Sequence, residues 1–233
     1  PYGGKKYFSP YGNPRLEDGP DGEHLPDRLA SETVKFMAAN KSKPFLAYLS
    51  FYSVHTPLIS RTDLRDKYLA RKKERGLEAK WGKEHNRQVR LVQEHAVYGG
   101  MVEAMDLAVG KVLNGLKEHG LEDNTVVFFM SDNGGLSTSE GHPTSNLPLR
   151  GGKGWMYEGG IREPMMVRWP GVTKPGSVND TPVTSTDFFP TIMEMAGLKP
   201  QLPLPIDGVS FTTALRGKPQ DRGAIYWHYP HYG

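Results

Sequence analysis

The 233-residue sequence contains no cysteine. Within these residues there is therefore no disulfide framework, no thiolate metal site and no cysteine nucleophile. The sequence also lacks any apolar run near the roughly 20 residues that a membrane-spanning helix requires, and residues 1–10 lack the charged-then-apolar pattern of a signal peptide. These absences predict no membrane insertion and leave the cellular compartment open.

An excess of charge of one sign is missing as well. The 29 Lys and Arg residues nearly balance the 26 Asp and Glu residues, which leaves a net charge of +3. This charge gives no indication of a nucleic-acid partner. The hydrophobic fraction of 37% is compatible with one sizeable core. The chain opens without Met on a glycine- and proline-rich run through Gly22, which we interpret as the interior of a longer protein.

Hydrophobic periodicity predicts strands alternating with helices. Helices are expected over 27–40, 98–116 and 186–196, strands over 45–51, 125–130 and 165–169, and an exposed helical excursion over 61–90. This alternation predicts an α/β fold, with a mostly parallel sheet sandwiched between helices. Ligand sites in such sheets gather where the strands end.

The first candidate site is Asp132-Asn133, followed by two glycines directly after a predicted buried strand. A carboxylate and an amide oxygen suit a hard cation such as Ca²⁺ or Mg²⁺, although two residues do not complete its coordination. An Asx turn that closes the strand is the alternative reading.

The second candidate is His55, which follows the predicted strand 45–51. Its imidazole is suited to act as a proton donor or as an anion-binding cation. A hydrogen-bonded loop histidine is an equally good reading of the residue alone.

The third candidate is Lys153 in the glycine-rich segment 149–164. Glycines on both sides let its ammonium and backbone approach an anion closely. The segment is not a P-loop because the Gly-x4-Gly-Lys-Ser/Thr spacing is absent. A structural turn with an exposed lysine remains the alternative.

In order and spacing, these elements together resemble the formylglycine-dependent (type I) sulfatases of the alkaline-phosphatase-like superfamily. The signatures are His55-Thr-Pro, Ser131-Asp-Asn-Gly-Gly, Gly-Lys153-Gly with Tyr157-Glu-Gly-Gly-Ile-Arg-Glu-Pro164, Trp169-Pro-Gly, and Thr186-Asp-Phe-Phe-Pro-Thr191. They extend over nearly the whole chain.

The resemblance implies a sulfuric ester hydrolase that acts on a sulfated sugar or aryl alcohol. Asp132 and Asn133 correspond to metal ligands, usually for Ca²⁺ with Mg²⁺ as an alternative, and Lys153 and His55 to contacts of the sulfate group. In the implied mechanism, a hydroxyl of hydrated formylglycine attacks sulfur, and His55 protonates the departing alcohol. A maturation enzyme that generates formylglycine is an implied partner. Periplasmic or secreted localisation is favoured by the resemblance.

Two family elements are missing from the sequence, namely the Cys/Ser-x-Pro-Ser-Arg motif and the early Asp-Asp metal pair. We interpret residues 1–224 as part of a catalytic domain that lacks its N-terminal segment, and residues 225–233 as the start of a C-terminal subdomain. The chain alone is accordingly expected to be inactive. His228 and His231 in the last stretch are candidate substrate contacts, or members of a packed surface loop.

Two other functions remain open at this stage. Phosphodiesterases and phosphonate hydrolases of the same superfamily use similar metal ligands with a different nucleophile. A non-catalytic anion- or glycan-binding module would retain the fold and some of the site. The presence of His55, Asp132, Asn133 and Lys153 together argues against the binding module.

Overall fold

The computed structural model describes residues 6–199 and 205–231, which contain helices and two short antiparallel ladders joined by long loops. Residues 1–5 of the opening run and the last two residues of the C-terminal stretch lie outside this range. In chain order the elements are α1 (Leu25–Asn40), α2 (Thr62–Glu74), β1 (Trp81–Glu84), β2 (Arg87–Arg90), α3 (Ala96–Glu118), β3 (Val127–Met130), α4 (Glu158–Ile161), β4 (Met165–Arg168), α5 (Phe188–Met195) and α6 (Thr212–Leu215). Short 3₁₀ turns lie at Glu122–Asn124 and Ser185–Asp187.

The described chain divides into two units. The first contains residues 6–123, 131–163 and 230–231, and the second contains residues 124–130 and the described part of 164–229. Of the helices in these residues, none is both long enough and apolar enough to cross a membrane.

Helix α3 is the centre of the first unit, and both α1 and α2 pack against it. Its buried face carries Met101, Ala104 and Ala108, which are at most 1% exposed. Two glycines allow the close approach: a Cβ at Gly115 would lie 2.7 Å from Val34 Cγ2 of α1, and one at Gly100 would crowd Ser60 and the α2 backbone. The period-3.6 pattern thus correctly predicts α3, which begins after His95 and ends before Gly120.

The N-terminal ends of α1 and α3 are built differently from each other. His95 caps α3 by accepting a hydrogen bond from Tyr98 N at 3.2 Å. Helix α1 begins at Leu25, two residues before the predicted Asp27 cap, and its N-cap residue His24 makes no side-chain capping bond. Pro26 in its first turn has no N–H that needs a partner, which favours a start at this point.

The second unit packs around three aromatic rings. Phe128 of β3, Phe188 of α5 and Phe211 meet edge to face at centroid distances of 5.4–6.2 Å. Asp187, only 1% exposed, accepts hydrogen bonds from Arg222, Thr184 N and Val209 N at 2.7–2.8 Å. The buried carboxylate is therefore fully paired, and it fixes the turn that begins α5.

Both described ladders are antiparallel. In β1–β2, Trp81 pairs with Arg90, and in β3–β4, Met130 pairs with Met165. The predicted strand at 45–51 is wrong for this structure: the segment has no ladder partner among the described residues, and Tyr48 is 91% exposed. An apolar run becomes a strand only where a neighbouring backbone accepts and donates its hydrogen bonds.

The 61–90 excursion is helical only in its first half. Helix α2 covers Thr62–Glu74, and the β1–β2 hairpin covers most of the remainder. Arg90 is buried beneath the Trp81 ring, with its guanidinium carbon 4.4 Å from the ring centroid, and it pairs with the buried Glu94. The interpretation of this whole stretch as a solvated helical face is therefore wrong for the hairpin.

The buried imidazole of His24 makes stability depend on pH. The ring is 4% exposed, packs against Tyr7 and Phe8, and has no hydrogen-bond partner on either nitrogen. Burial lowers the pKa of His24 from 6.5 to about 4.

We expect the free energy of unfolding to decrease as pH falls from 6.5 towards 4, because unfolded His24 takes up a proton that the folded ring does not. The slope from this group reaches about 1.4 kcal/mol per pH unit at most. Urea unfolding between pH 6.5 and 5 measures the slope, which His24→Gln should reduce and His85→Asn, at an exposed histidine, should not. Native-state NMR that shows His24 protonating near pH 6.5 would contradict the expectation.

Candidate functional site

His55 lies in a turn that two tyrosines hold in place. Its backbone N–H donates to Tyr52 O at 3.0 Å, and its carbonyl accepts from the buried Tyr7 hydroxyl at 2.8 Å. The Tyr52 ring stacks on the imidazole, with centroids 5.3 Å apart. Burial raises the pKa of Tyr7, so its hydroxyl stays a hydrogen-bond donor. Sequence reasoning missed Tyr7, which lies 48 residues from His55 in the chain.

The loop that carries Lys153 packs through its backbone against the loop that contains Gly135. Lys153 N donates to Gly135 O at 3.1 Å, and Trp155 N donates to Gly152 O at 2.9 Å. A Cβ at Gly152 would lie 2.6 Å from Gly135 O, so a side chain at that position would separate the loops. Trp155 is 4% exposed and anchors the far side of the turn. The glycines therefore serve close backbone approach, as the sequence predicts.

The two candidate polar groups meet directly. Lys153 Nζ lies 2.9 Å from His55 Nε2, although the residues are 98 positions apart. His55 Nδ1 lies 2.9 Å from Thr56 O, which only accepts, so Nδ1 carries the proton. Nε2 then accepts a hydrogen bond from the ammonium of Lys153, because an ammonium only donates. The arrangement is a neutral imidazole that orients a lysine cation.

A carboxylate adjoins the same lysine. Glu140 Oε1 lies 3.7 Å from Lys153 Nζ, and Thr56 Oγ1 donates to Glu140 Oε2 at 3.1 Å. The Glu140 side chain is 42% exposed and the Lys153 side chain 26% exposed. Sequence reasoning did not include Glu140, because nothing in its local pattern distinguishes it from a loop glutamate.

Asp132 and Asn133 follow β3, as predicted. Asn133 Nδ2 donates to Gly134 O at 3.0 Å, which leaves the amide oxygen as the atom suited to a cation. Gly134 N donates to Gly160 O at 3.2 Å, so this turn runs beside the α4 segment. Since Gly135 O also receives Lys153 N, the Asp132-Asn133 turn and the Lys153 loop are parts of one hydrogen-bonded structure.

Glu163 is an acidic neighbour of Asp132. Its Oε1 atom is buried without a hydrogen-bond partner. Burial, with a smaller contribution from the charge of Asp132, raises the pKa of Glu163 to about 7. Two carboxylates that repel each other are stabilised by a cation between or beside them. Glu163 stands in the glycine-rich motif of residues 149–164, without a predicted role of its own.

The oxygen donors at this turn fit Ca²⁺ or Mg²⁺ in kind. Asp132, Asn133 and Glu163 offer two carboxylates and an amide oxygen, the ligand types that hard cations prefer. They supply too few donors to fill six or more positions, and the described residues contain no group of three or more His, Cys, Asp or Glu side chains able to hold a metal. The fit is therefore chemically sound and incomplete.

The β1–β2 hairpin braces both loops of the site. Glu84 Oε2 accepts from Gly151 N at 2.6 Å, and Arg90 Nε donates to His142 O at 2.6 Å. The first contact fixes the start of the Lys153 loop, and the second fixes the turn that carries Glu140. Sequence reasoning missed Glu84 and Arg90, because it treated the whole of the highly charged 61–90 segment as solvated.

His228 and His231 are both exposed. His228 belongs to the second unit and His231 to the first. Their role as substrate contacts stays a prediction.

The chain is similar to known sulfatases in sequence and in fold. The family model for sulfatases matches residues 1–198. A sulfatase of Formosa agariphila is 38% identical over 94% of this chain, and steryl-sulfatase of Rattus norvegicus is 37% identical over 86%. The solved structure titled "Crystal structure of Ps i-CgsB" matches 87% of this chain and 41% of its own, at 31% identity and a TM-score of 0.71.

The fold and the match over residues 1–198 define an α/β fold of the alkaline-phosphatase-like type, which confirms the predicted fold class. The parallel pairing expected for its sheet is wrong for the two ladders in the described residues, which are both antiparallel. The chain belongs to the sulfatase family. It spans 39% of the length of the Formosa agariphila relative and 31% of the rat relative.

The close approach at Gly134 provides a structural test. A Cβ there would fall well inside contact distance of the backbone oxygen of Gly159, which has no freedom to move aside. We expect Gly134→Ala to lower the free energy of unfolding by roughly 1–3 kcal/mol through overpacking. Thermal melting of the 233-residue chain measures the effect.

Gly110→Ala is the matched control, because its Cβ would meet nothing within 4 Å in the interior of α3. That replacement should stabilise the chain by about 0.5–1 kcal/mol through helix propensity. Equal stability changes in the two variants would show that the Gly134 approach is not tight.

Proposed function

We propose that this chain supplies the part of a sulfate monoester hydrolase that protonates the leaving group and binds a cation. The proposed substrate is a sulfated sugar or aryl alcohol. The observation that carries the proposal is the 2.9 Å contact between Lys153 Nζ and His55 Nε2, in a member of the sulfatase family. Two groups suited to an anion meet at one point, and the Lys153 loop is joined by backbone hydrogen bonds to the Asp132-Asn133 turn.

Lys153 has the principal electrostatic role in this proposal. Its ammonium neutralises negative charge on the sulfuryl oxygens, where a fixed cation stabilises the transition state more than the ground state. His55, neutral and hydrogen-bonded through Nδ1 to Thr56 O, aims the ammonium. When the S–O bond to the alcohol breaks, the alcohol oxygen takes a proton from a second Nζ–H of Lys153, which leaves a neutral amine still hydrogen-bonded to His55 Nε2.

Asp132, Asn133 and Glu163 are the residues of this chain that would hold a cation, for which we propose Ca²⁺. A bound Ca²⁺ would supply Lewis-acid withdrawal of charge from the sulfuryl oxygens. The turn after β3 keeps the donor oxygens fixed through the Gly134 N to Gly160 O hydrogen bond, so that binding requires little rearrangement.

The nucleophile in the proposal is formylglycine, whose hydrate supplies the attacking hydroxyl. The Cys/Ser-x-Pro-Ser-Arg motif that gives rise to it is not among these 233 residues. Turnover is therefore proposed for the intact protein, with any residues that flank this chain, after processing by a formylglycine-generating enzyme.

In the intact protein, we expect Lys153→Ala to lower kcat/KM for 4-nitrophenyl sulfate by roughly 100- to 1,000-fold, because one charge stabiliser is lost from the transition state. Asn133→Ala should have an effect of similar size. Lys43→Ala, at an exposed lysine after α1, is the control and should leave the rate unchanged.

Initial-rate assays with 4-nitrophenyl sulfate and a matched aryl phosphonate measure both the loss and the reaction class. Faster hydrolysis of the phosphonate by the unaltered protein would replace sulfate ester hydrolysis with phosphoryl-type chemistry. Undiminished rates in Lys153→Ala would remove this lysine from the site.

Ca²⁺ binding gives a test that does not depend on turnover. Asp132→Asn should weaken Ca²⁺ binding to the intact protein by about tenfold or more, and Glu163→Gln should weaken it in the same direction, since each removes a negative charge from the donor set. Isothermal titration calorimetry and the Ca²⁺-dependent rise in Tm measure the change. Asp21→Asn, at an exposed aspartate, is the control. Identical Ca²⁺ affinity in all four proteins would exclude this turn as the cation site.

A further inference from the structure

The carboxylate of Glu140 occupies a position beside the anion site that the proposed reaction does not use. It lies 3.7 Å from Lys153 Nζ and accepts a hydrogen bond from Thr56 Oγ1 at 3.1 Å. A negative charge this close to the cation opposes the binding of any anion that approaches Lys153. A site built only for anion affinity would not place a carboxylate here.

The backbone around Glu140 shows that the fold holds this residue in place. Glu140, Gly141 and His142 have φ angles of +50°, +90° and +50°, and the two non-glycine residues are in a region that L-amino acids rarely adopt. Such a backbone persists only where its surroundings fix it. Arg90 Nε donates to His142 O at 2.6 Å, His142 N donates to Ser139 O at 3.0 Å, and the Trp81 ring packs edge-on against the His142 ring.

Arg90, the hairpin residue that holds this turn, is itself fixed by its neighbours. Arg90 is 6% exposed, stacks on Trp81 and forms an ion pair with Glu94. Lys72 of α2 also contacts Glu94, with Nζ 2.5 Å from Oε2. The backbone position of Glu140 therefore depends on a buried charge network in the hairpin and on helix α2, and its partly exposed carboxylate is held by the Thr56 hydroxyl.

The charges of substrate and product give this carboxylate a function. A sulfate monoester carries one negative charge, whereas the released inorganic sulfate carries two. Coulomb repulsion scales with charge, so Glu140 opposes the product about twice as strongly as it opposes the substrate. Lys153 attracts both ions, and the carboxylate reduces the advantage that the doubly charged ion would otherwise have.

We propose that Glu140 is a specificity-determining residue, which favours the singly charged sulfate ester over the doubly charged sulfate ion and so promotes product release. The inference rests on the proposed function, because it takes Lys153 as the sulfate contact. Thr56 is a positioning residue in this proposal: its hydroxyl orients the Glu140 carboxylate towards Lys153.

The test compares two probe ions, inorganic sulfate and methyl sulfate, which differ in charge and share the sulfuryl oxygens. Their dissociation constants are measured with the 233-residue chain by NMR titration at low ionic strength, where screening is weak. Glu140→Gln should tighten sulfate binding by about fivefold and methyl sulfate binding by about twofold, the size expected for a partly exposed charge contact. The ratio of the two affinities is the decisive quantity.

Matched variants separate this effect from net charge and from folding. Glu78→Gln removes the same charge at an exposed site between α2 and β1 and should leave the ratio unchanged. Thr56→Val keeps the carboxylate and removes its hydrogen-bond donor, so it should shift the ratio in the same direction as Glu140→Gln by a smaller amount. Equal Tm values show that the fold is retained.

The outcomes distinguish a failure of the proposed anion site at Lys153 from a failure of the proposed role of Glu140. If Lys153→Ala abolishes binding of both ions but Glu140→Gln leaves their ratio unchanged, the anion site stands and the role of Glu140 is overturned. If Glu140→Gln tightens both ions equally, the charge-selective role is likewise overturned. If neither ion binds, or if Lys153→Ala has no effect, the anion site fails and the inference fails with it.

Discussion

The hydrogen bond between Lys153 and His55 depends on two loops whose backbones lie in direct contact, with no side chain between them. Lys153 reaches His55 only because its loop lies against Gly135, and Gly152 leaves no Cβ in the space between the two loops. On the other side, the His55 turn is fixed by the Tyr7 hydroxyl and by the Tyr52 ring. A lysine side chain has many rotamers, so the 2.9 Å contact at Nε2 is a result of this enclosure and of the acceptor that His55 presents.

The polar groups of the site form a connected series. Glu140 contacts Lys153, Lys153 donates to His55, and His55 donates to Thr56 O. Thr56 returns to Glu140 through its hydroxyl. Such a closed set of contacts defines the tautomer of the imidazole and the direction of each donor, so the site is organised before any ligand enters it.

Sequence reasoning identified the site residues that stand in recognisable motifs. It missed the residues that only the fold brings close to the site. His55, Asp132, Asn133 and Lys153 stand in recognisable motifs, and the glycines around Lys153 predict close approach. Helix α3 was predicted well because its apolar period is long and regular. Glu140, Glu84 and Arg90 have no local signal, since their importance arises from hydrogen bonds across 52 to 84 residues of chain.

The failures have physical causes of the same kind. The segment 45–51 has the composition of a strand. A strand forms only where the backbone of another segment pairs with it, and that partner cannot be identified from the segment alone. The 61–90 segment has many charges, yet Arg90 is buried because Trp81 and Glu94 lie beside it. The order of strands and helices was enough to predict the α/β class, whereas the pairing partners of each strand depend on segments distant in sequence.

The buried carboxylate of Asp187 sets a minimum extent for the second unit. Its charge is balanced by Arg222, which lies 35 residues further along the chain. A shortened form that stopped before Arg222 would retain the buried aspartate without its cation, at a cost of about 3–5 kcal/mol. Proteolytic trimming or recombinant shortening that removes Arg222 is therefore opposed by the charge of Asp187.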